Sequence, residues 1–85
     1  MIIRVSSKFK KAYKALPTNV QEKAKEREKL FRANPFDARL ETHKLHGKYK
    51  NYWAFTITGQ YRIMFTFSDN DRIDFVNIGT HEIYK

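Results

Sequence analysis

Three short segments between residues 52 and 78 are rich in aromatic and β-branched residues, and they constrain the fold more than any other part of the chain. They read YWAFTIT, QYRIMFTF and RIDFVNI. Gly59 separates the first two segments, and SDND separates the second from the third. Such residues favour strands, and short polar or glycine connections favour antiparallel neighbours. The pattern therefore predicts a three-stranded antiparallel meander.

A strand and a helix are predicted before this meander. The first residues, MIIRV, are short and β-branched, which favours a strand. Ser6 or Ser7 can then cap a helix that ends at Pro17. One apolar stripe with i, i+4 and i+7 spacing runs along this helix: Phe9, Tyr13 and Leu16.

A second helix is predicted over VQEKAKEREKLFRANP. Thr18 or Asn19 can cap its start, and Asn34-Pro35 stops it, because a proline disfavours helical backbone at the residue before it. Lys and Glu occupy most of its positions, and the inward-facing residues would be Val20, Ala24, Leu30 and Phe31. The two helices would form a hairpin.

Together these elements predict one α+β domain over residues 1–85. A leading strand, the helical hairpin and the meander would form a single sheet, with helices on one face and the other face free for function. Residues 36–51 lack a sustained period and would be a mostly irregular, basic connection with a short strand around residues 40–45. The chain has no cysteine, no signal-peptide core and no stretch of membrane-spanning length, so we expect no membrane partner and a cytoplasmic location.

The charge balance indicates the class of partner. Lys and Arg number 17 against 9 Asp and Glu, which gives a net charge of +8 and a pI near 9.9. Such a field attracts polyanions, and nucleic acid is the leading candidate. The same charge could instead be a solvated face or a docking surface for an acidic protein.

Arg62 is the most informative charged residue of the predicted meander. Alternation along its strand places Arg62, Met64 and Thr66 on one face and Tyr61, Ile63 and Phe65 on the other. A guanidinium in mid-sheet can stabilise negative charge in a transition state. The alternative is a surface arginine that lies over the sheet and pairs with a carboxylate.

A second group of polar residues lies in the connection. THKLHG contains His43 and His46, and three lysines accompany them: Lys44, Lys48 and Lys50. These groups can contact phosphate. Histidines with this spacing could also bind a metal, with His81 as a third ligand, or could simply pack or cap.

The C-terminal residues NIGTHEIYK add His81 and Tyr84. If the last strand lies beside the strand of Arg62, both side chains can turn onto the open sheet face. RNA cleavage by the 2′-hydroxyl needs a base, an acid and fixed positive charge, and histidine suits both proton transfers. Tyr84, Trp53 or Tyr52 could stack an unpaired base.

Three stretches follow one another along the chain: LPTNVQEKAKE, NPFDARLETHKLHGKYKNYWAFTITGQYRIMF and NIGTHEIYK. In these stretches and their order, the chain resembles toxins of the RelE/ParE superfamily, in particular YafQ- and YoeB-like mRNA interferases. The resemblance covers nearly the whole chain. Its specific parts are L-x-G after a histidine, Y-R-[ILV]-x-[FY], and G-T-H. It implies a RelE-like toxin that enters the ribosomal A site and cuts mRNA without a metal or other cofactor. Its partners would be ribosomal RNA and an antitoxin with an acidic binding segment.

Residue by residue, the resemblance implies roles for the candidate groups. His43 matches an active-site histidine of the YafQ-like branch, and Arg62 matches the arginine that stabilises transition-state charge in RelE- and YoeB-like members. His81 matches the histidine assigned to proton transfer, and Tyr84 falls near the aromatic residue that closes these chains. Lys44 and Lys48 would add positive charge.

The chain also departs from the family pattern. Thr56 and Gln60 stand where YafQ-like toxins have a histidine and an aspartate, and the glutamate base of YoeB-like toxins has no evident counterpart. His43 and His46 therefore both remain candidates for the general base. Two alternatives stay open: a ParE-like inhibitor of DNA gyrase, and a degenerate toxin that binds RNA or an antitoxin without cutting.

Overall fold

Two helices and a five-stranded sheet form the fold. The computed structural model describes residues 1–85, with strands β1 (Ile2–Val5), β2 (His43–Lys44), β3 (Trp53–Thr56), β4 (Arg62–Asp69) and β5 (Arg72–Gly79) and helices α1 (Ser7–Lys14) and α2 (Thr18–Ala33). Three short 3-10 turns complete it: Ala38–Leu40, Gly47–Tyr49 and His81–Tyr84. Neither α-helix is long and apolar enough to cross a membrane.

The strand order is β1-β5-β4-β3-β2. Strands β3, β4 and β5 pair antiparallel and so confirm the predicted meander, and β1 lies parallel to β5 at one edge. The short strand expected around residues 40–45 is confirmed as β2, a two-residue strand at the other edge that pairs with β3. The α+β fold class is therefore confirmed.

Local contacts fix the helix ends. Ser6 caps α1, since its Oγ accepts a hydrogen bond from the Phe9 amide at 3.0 Å. The predicted cap of α2 by Thr18 or Asn19 is wrong, because the helix already begins at Thr18 and Pro17 occupies the cap position without a side-chain bond. The proline carbonyl instead accepts from the Val20 and Gln21 amides.

The core lies between the helices and one face of the sheet. Phe31, fully buried, stacks on Phe55 with ring centroids 4.7 Å apart. Its edge contacts with Phe65 and Phe75 are 4.9 and 5.6 Å. Val20 and Ala24 are buried as predicted, whereas Leu30 is only partly buried. Burial of these rings provides the main stabilisation of the domain.

An irregularity in β5 adjusts the path of the C-terminal residues. Phe65 pairs with Phe75 and Met64 with Asn77, so Val76 is an extra residue in the ladder. This bulge lets both Phe75 and Ile78 face the core. Ser6 Oγ donates to the Val76 carbonyl at 3.0 Å, which ties the bulge to the start of α1.

The second sheet face is less open than predicted. Met64, on that face, is only 3% exposed, and a cavity of about 200 Å³ beside it is lined by Tyr49, Tyr52 and Ile83. The expectation of a wholly free face is therefore wrong for its centre. The C-terminal turn and the Gly47–Tyr49 turn cover that part. The face stays accessible at its two ends, near Arg62 and near Thr66 and Ser68.

Candidate active site

A polar pocket lies at the end of the sheet where β3, β4 and β5 meet the C-terminal turn. Its volume is about 380 Å³, and six residues line it: Glu41, His43, Thr56, Arg62, His81 and Tyr84. Strand register explains the assembly. Arg62 pairs with Thr56 on one side and with Gly79 on the other, so the residues after Gly79 pass beside the arginine.

Arg62 is the central cation of this pocket. It is half-buried, and its Nη1 donates to Thr56 Oγ1 at 3.1 Å. Its Nη2 lies 3.2 Å from His81 Nε2. No carboxylate lies within ion-pair distance of Arg62, which takes part in none of the seven ion pairs of the structure. The alternative of a carboxylate-paired surface arginine is therefore wrong.

The contacts of the two pocket histidines define their protonation sites. Because a guanidinium only donates, His81 Nε2 must accept from Arg62, and the ring proton of neutral His81 lies on Nδ1. His43 Nδ1 lies 2.9 Å from the Glu41 carbonyl, which only accepts, so His43 also carries its proton on Nδ1. The Nε2 atom of His43 is then free to take a proton.

The backbone conformation of Glu41 makes the hydrogen bond between His43 and the Glu41 carbonyl possible. Glu41 has φ 52° and ψ 40° and is the only non-glycine residue with positive φ. This left-handed conformation costs free energy for a residue with a Cβ, and such strain often occurs at functional sites. Here it follows the turn Ala38–Leu40 and aims the carbonyl at His43.

Tyr84 closes the pocket from the C-terminal side. Its ring lies edge-on to His81 at 5.7 Å, and its hydroxyl is buried without a hydrogen-bond partner. Burial raises the pKa of Tyr84, and the nearby Arg62 charge lowers it by a smaller amount. The side chain is therefore a neutral phenol at physiological pH, with a proton it can donate.

Three of the other predicted residues lie outside the pocket. His46 precedes the turn Gly47–Tyr49, is exposed, and makes no side-chain capping bond. Lys48 Nζ lies 5.2 Å from the centre of the Tyr49 ring. The centres of the Tyr49 and Tyr84 rings are 6.4 Å apart. Lys50 is exposed at the end of the same turn. Lys48 thus flanks the pocket face without lining the pocket.

Lys44 and Trp53 lie on the other side of the sheet. They are direct partners across β2 and β3, and alternation places both opposite to His43 and Thr56. Trp53 packs edge-on against Phe36 at 5.6 Å and Phe67 at 5.5 Å. Base stacking by Trp53 stays a prediction, but its ring lies on the opposite sheet face from Arg62, so any such stacking would take place outside the pocket.

Two residues of the pocket, Thr56 and Glu41, are not among the predicted site residues. The sequence presents Thr56 only as a departure from the family pattern, although its pairing with Arg62 follows from strand alternation once the register is known. Glu41 carries no sequence signal, since its left-handed backbone is a property of the folded chain. No three His, Cys, Asp or Glu side chains are grouped so that they could hold a metal ion. His46 lies outside the pocket that His43 and His81 line.

Known structures share this fold. YafQ from E. coli strain BL21(DE3) matches with a TM-score of 0.80 at 21% identity, over 96% of this chain and 94% of that one. A YoeB/ParE toxin from Agrobacterium tumefaciens matches with a TM-score of 0.80 at 19% identity, over 95% and 99%. The E. coli DinJ-YafQ toxin-antitoxin complex matches with 0.77 at 21%, over 95% and 92%. No curated protein sequence matches the chain.

The fold is thus that of RelE/ParE-superfamily toxins, as the sequence resemblance implied. A sequence model described as the bacterial toxin of type II toxin-antitoxin system, YafQ, matches residues 1–84. The chain therefore belongs to the YafQ toxin family of type II toxin-antitoxin systems.

Proposed function

We propose that this toxin is an endoribonuclease that cleaves mRNA with the pocket around Arg62. The observation that carries the proposal is the guanidinium held between Thr56 and His81, with His43 lining the same pocket. A fixed cation in one pocket with proton-transfer groups suits cleavage of a phosphodiester by its 2′-hydroxyl. The four candidate groups that line the pocket are His43, Arg62, His81 and Tyr84.

In the proposed reaction, His43 Nε2 takes the proton from the 2′-hydroxyl as that oxygen attacks phosphorus. The bond from phosphorus to the 5′-oxygen breaks, and His81 gives a proton to the departing oxygen. His81 must first gain that proton at Nε2, because Arg62 donates to this nitrogen in the free protein. The products are a 2′,3′-cyclic phosphate and a 5′-hydroxyl, so atoms and protons balance. Arg62 stabilises the extra charge on the phosphorane oxygens, and Tyr84 orients or stacks the substrate. We assign the base to His43 and not to His46, because only His43 lines the pocket.

The proposed substrate is mRNA in the ribosomal A site, and the proposed location is the cytoplasm, where translation takes place. The net charge of +8 supports association with ribosomal RNA and with an antitoxin whose binding segment is acidic. The complex of DinJ with YafQ, which shares the fold, supports an antitoxin partner of this kind.

Mapping of mRNA ends on programmed ribosomes tests the proposal. The parental protein should produce new ends within the A-site codon, and Arg62→Ala should reduce the rate by about 100-fold or more because a preorganised cation is lost. Arg32→Ala is the matched control, since Arg32 is a surface residue of α2 that pairs with Glu28. Absence of cleavage together with inhibition of gyrase supercoiling would favour the ParE-like alternative.

A further inference from the structure

The contact between Arg62 and His81 occupies the Nε2 atom of His81. The guanidinium always carries its charge and donates from every nitrogen, so the lone pair of His81 Nε2 is occupied in the free protein. A proton on Nε2 would place an N–H and a positive charge directly against Nη2, 3.2 Å away. His81 can therefore become imidazolium only when this contact breaks.

This requirement conflicts with the role of His81 as an acid. A general acid must carry its proton on the nitrogen that faces the leaving oxygen, and in the free protein that nitrogen is bound by Arg62. A phosphate group removes the conflict. Guanidinium binds phosphate oxygens more strongly than it binds a neutral imidazole, because both partners are then charged.

Thr56 determines which half of the guanidinium can change partner. Its Oγ1 accepts from Nη1 at 3.1 Å, on the opposite side of the fork from His81. While Nη1 stays on Thr56, Nη2 can turn from His81 Nε2 to a phosphate oxygen without loss of the arginine's position. Arg62 is thus anchored through one nitrogen and can exchange its partner at the other.

We propose that Arg62 couples phosphate binding to protonation of His81, a step that rests on the proposed nuclease function. When phosphate enters, the bond from Nη2 to His81 Nε2 breaks and a bond from Nη2 to a phosphate oxygen forms. His81 then takes a proton at Nε2 from hydronium or buffer acid, whose conjugate base stays in the solvent, and donates this N–H in a hydrogen bond to the same phosphate. The acid is loaded only when a phosphodiester is in place.

The other groups around His81 permit this exchange. Glu41 and His43 face it across the pocket, and Tyr84 lies beside it as a neutral phenol. Glu82, on the same turn, is engaged with Lys85 at 3.1 Å. The adjacent end of β5 contributes Gly79, which carries no charge. Arg62 is therefore the only charged side chain in hydrogen-bond contact with His81.

Imidazole NMR with sulfate as the probe tests the coupling. Sulfate mimics a phosphate dianion but does not titrate near neutral pH, and sodium chloride of equal ionic strength is the reference. With ¹⁵N-labelled histidine, free His81 should be the Nδ1–H tautomer, and sulfate should raise its imidazolium fraction at neutral pH several-fold. His46, exposed and outside the pocket, is the internal control and should not respond.

Variants of Arg62 distinguish coupling from simple anion binding. In Arg62→Met, which retains an aliphatic side chain, His81 should protonate more readily without sulfate, and the sulfate response should be lost. Arg32→Met should behave as the parent. The proposal is overturned if His81 is the Nε2–H tautomer, if it responds to sulfate no more than His46, or if Arg62→Met leaves its response unchanged.

The experiment contains no RNA, so its outcome is independent of nuclease activity. A sulfate response of His81 in a protein that cuts no mRNA would refute the proposed function and leave the coupling intact. Cleavage of mRNA by a protein whose His81 ignores sulfate would refute the coupling alone.

Discussion

Among single residues, Thr56 shows how a departure from a family pattern can be compensated. The sequence resemblance places a histidine at this position in YafQ-like toxins, which suggests that the site has lost a polar group. In the structure Thr56 Oγ1 still accepts a hydrogen bond, and its donor is Arg62. This bond holds one nitrogen of the guanidinium at the edge of the pocket. The substitution therefore supports an arginine-centred pocket.

Substitution of His81 should separate catalysis from binding. We expect His81→Ala to bind programmed ribosomes nearly as well as the parent but to cleave roughly 100- to 10,000-fold more slowly, as expected for loss of a positioned acid. Single-turnover cleavage and ribosome binding, measured side by side, check this. His46→Ala is the matched control, because this histidine lies outside the pocket. Full activity of His81→Ala would exclude its role as the acid.

Substitution of Tyr84 should show whether its ring or its hydroxyl matters. Tyr84→Ala should weaken substrate positioning by about 1–3 kcal/mol if the ring stacks a base, and Tyr84→Phe should keep most of the activity. The buried hydroxyl has no partner in the free protein, so its removal should not destabilise the fold. A large loss of cleavage in Tyr84→Phe, measured on programmed ribosomes, would instead show that the phenol donates to the substrate.

At the scale of elements, the sequence predicts which segments are strands better than which face each side chain occupies. Aromatic content identified β3, β4 and β5, because it reports strand propensity. It could not place Trp53, because the face depends on pairing with Phe65 and on the position of the helices. The sequence alone does not distinguish His43 from His46 as the candidate base. In the structure, only His43 lies in β2 and shares a face with Thr56. Register is a property of the folded sheet, so these distinctions needed the structure.

Ser6 joins two elements, and its substitution should destabilise both. Its Oγ caps α1 through the Phe9 amide and donates to the carbonyl of Val76 in the β5 bulge. We expect Ser6→Ala to reduce the free energy of unfolding by about 1–2 kcal/mol, the usual effect of a lost helix cap. Ser7→Ala, one residue later and without a side-chain bond to another residue, should change it by less than about 0.5 kcal/mol. Equal effects in urea unfolding would refute the capping role.

The folding stability should depend on pH through Asp37, which lies in the turn before β2. Hydrogen bonds from the Arg39 side chain and amide lower the pKa of Asp37 to about 2. Because the folded-state pKa lies below the ordinary value, the ionised Asp37 contributes stability above that value and loses it as pH falls towards about 2. Asp37→Asn should therefore destabilise the protein near neutral pH, and the difference should shrink in acid. Urea unfolding across this pH range, with a carboxyl NMR titration of Asp37, measures both.

Across the whole molecule, the two faces of the sheet differ in chemistry. One face carries the polar pocket, with Lys48 above the Tyr49 ring beside Tyr84. The other face carries Trp53 and the exposed rings of Phe36 and Phe67, with Lys44 as the cross-strand partner of Trp53. The net charge of +8 attracts RNA to the whole protein. If RNA lies over the pocket, however, only the lysines on that face contact its phosphates.

Lys48 and Lys44 therefore form a matched pair that reports which face binds RNA. Each phosphate contact releases counterions, so a lysine in contact contributes about one unit to the slope of log affinity against log salt. We expect Lys48→Ala to lower that slope by about one unit for ribosome association, and Lys44→Ala to leave it nearly unchanged. Both variants lose one charge, so a general field effect would change them equally. Affinities measured at several salt concentrations decide: a lower slope in Lys44→Ala alone would place the RNA over the Trp53 face and away from Arg62.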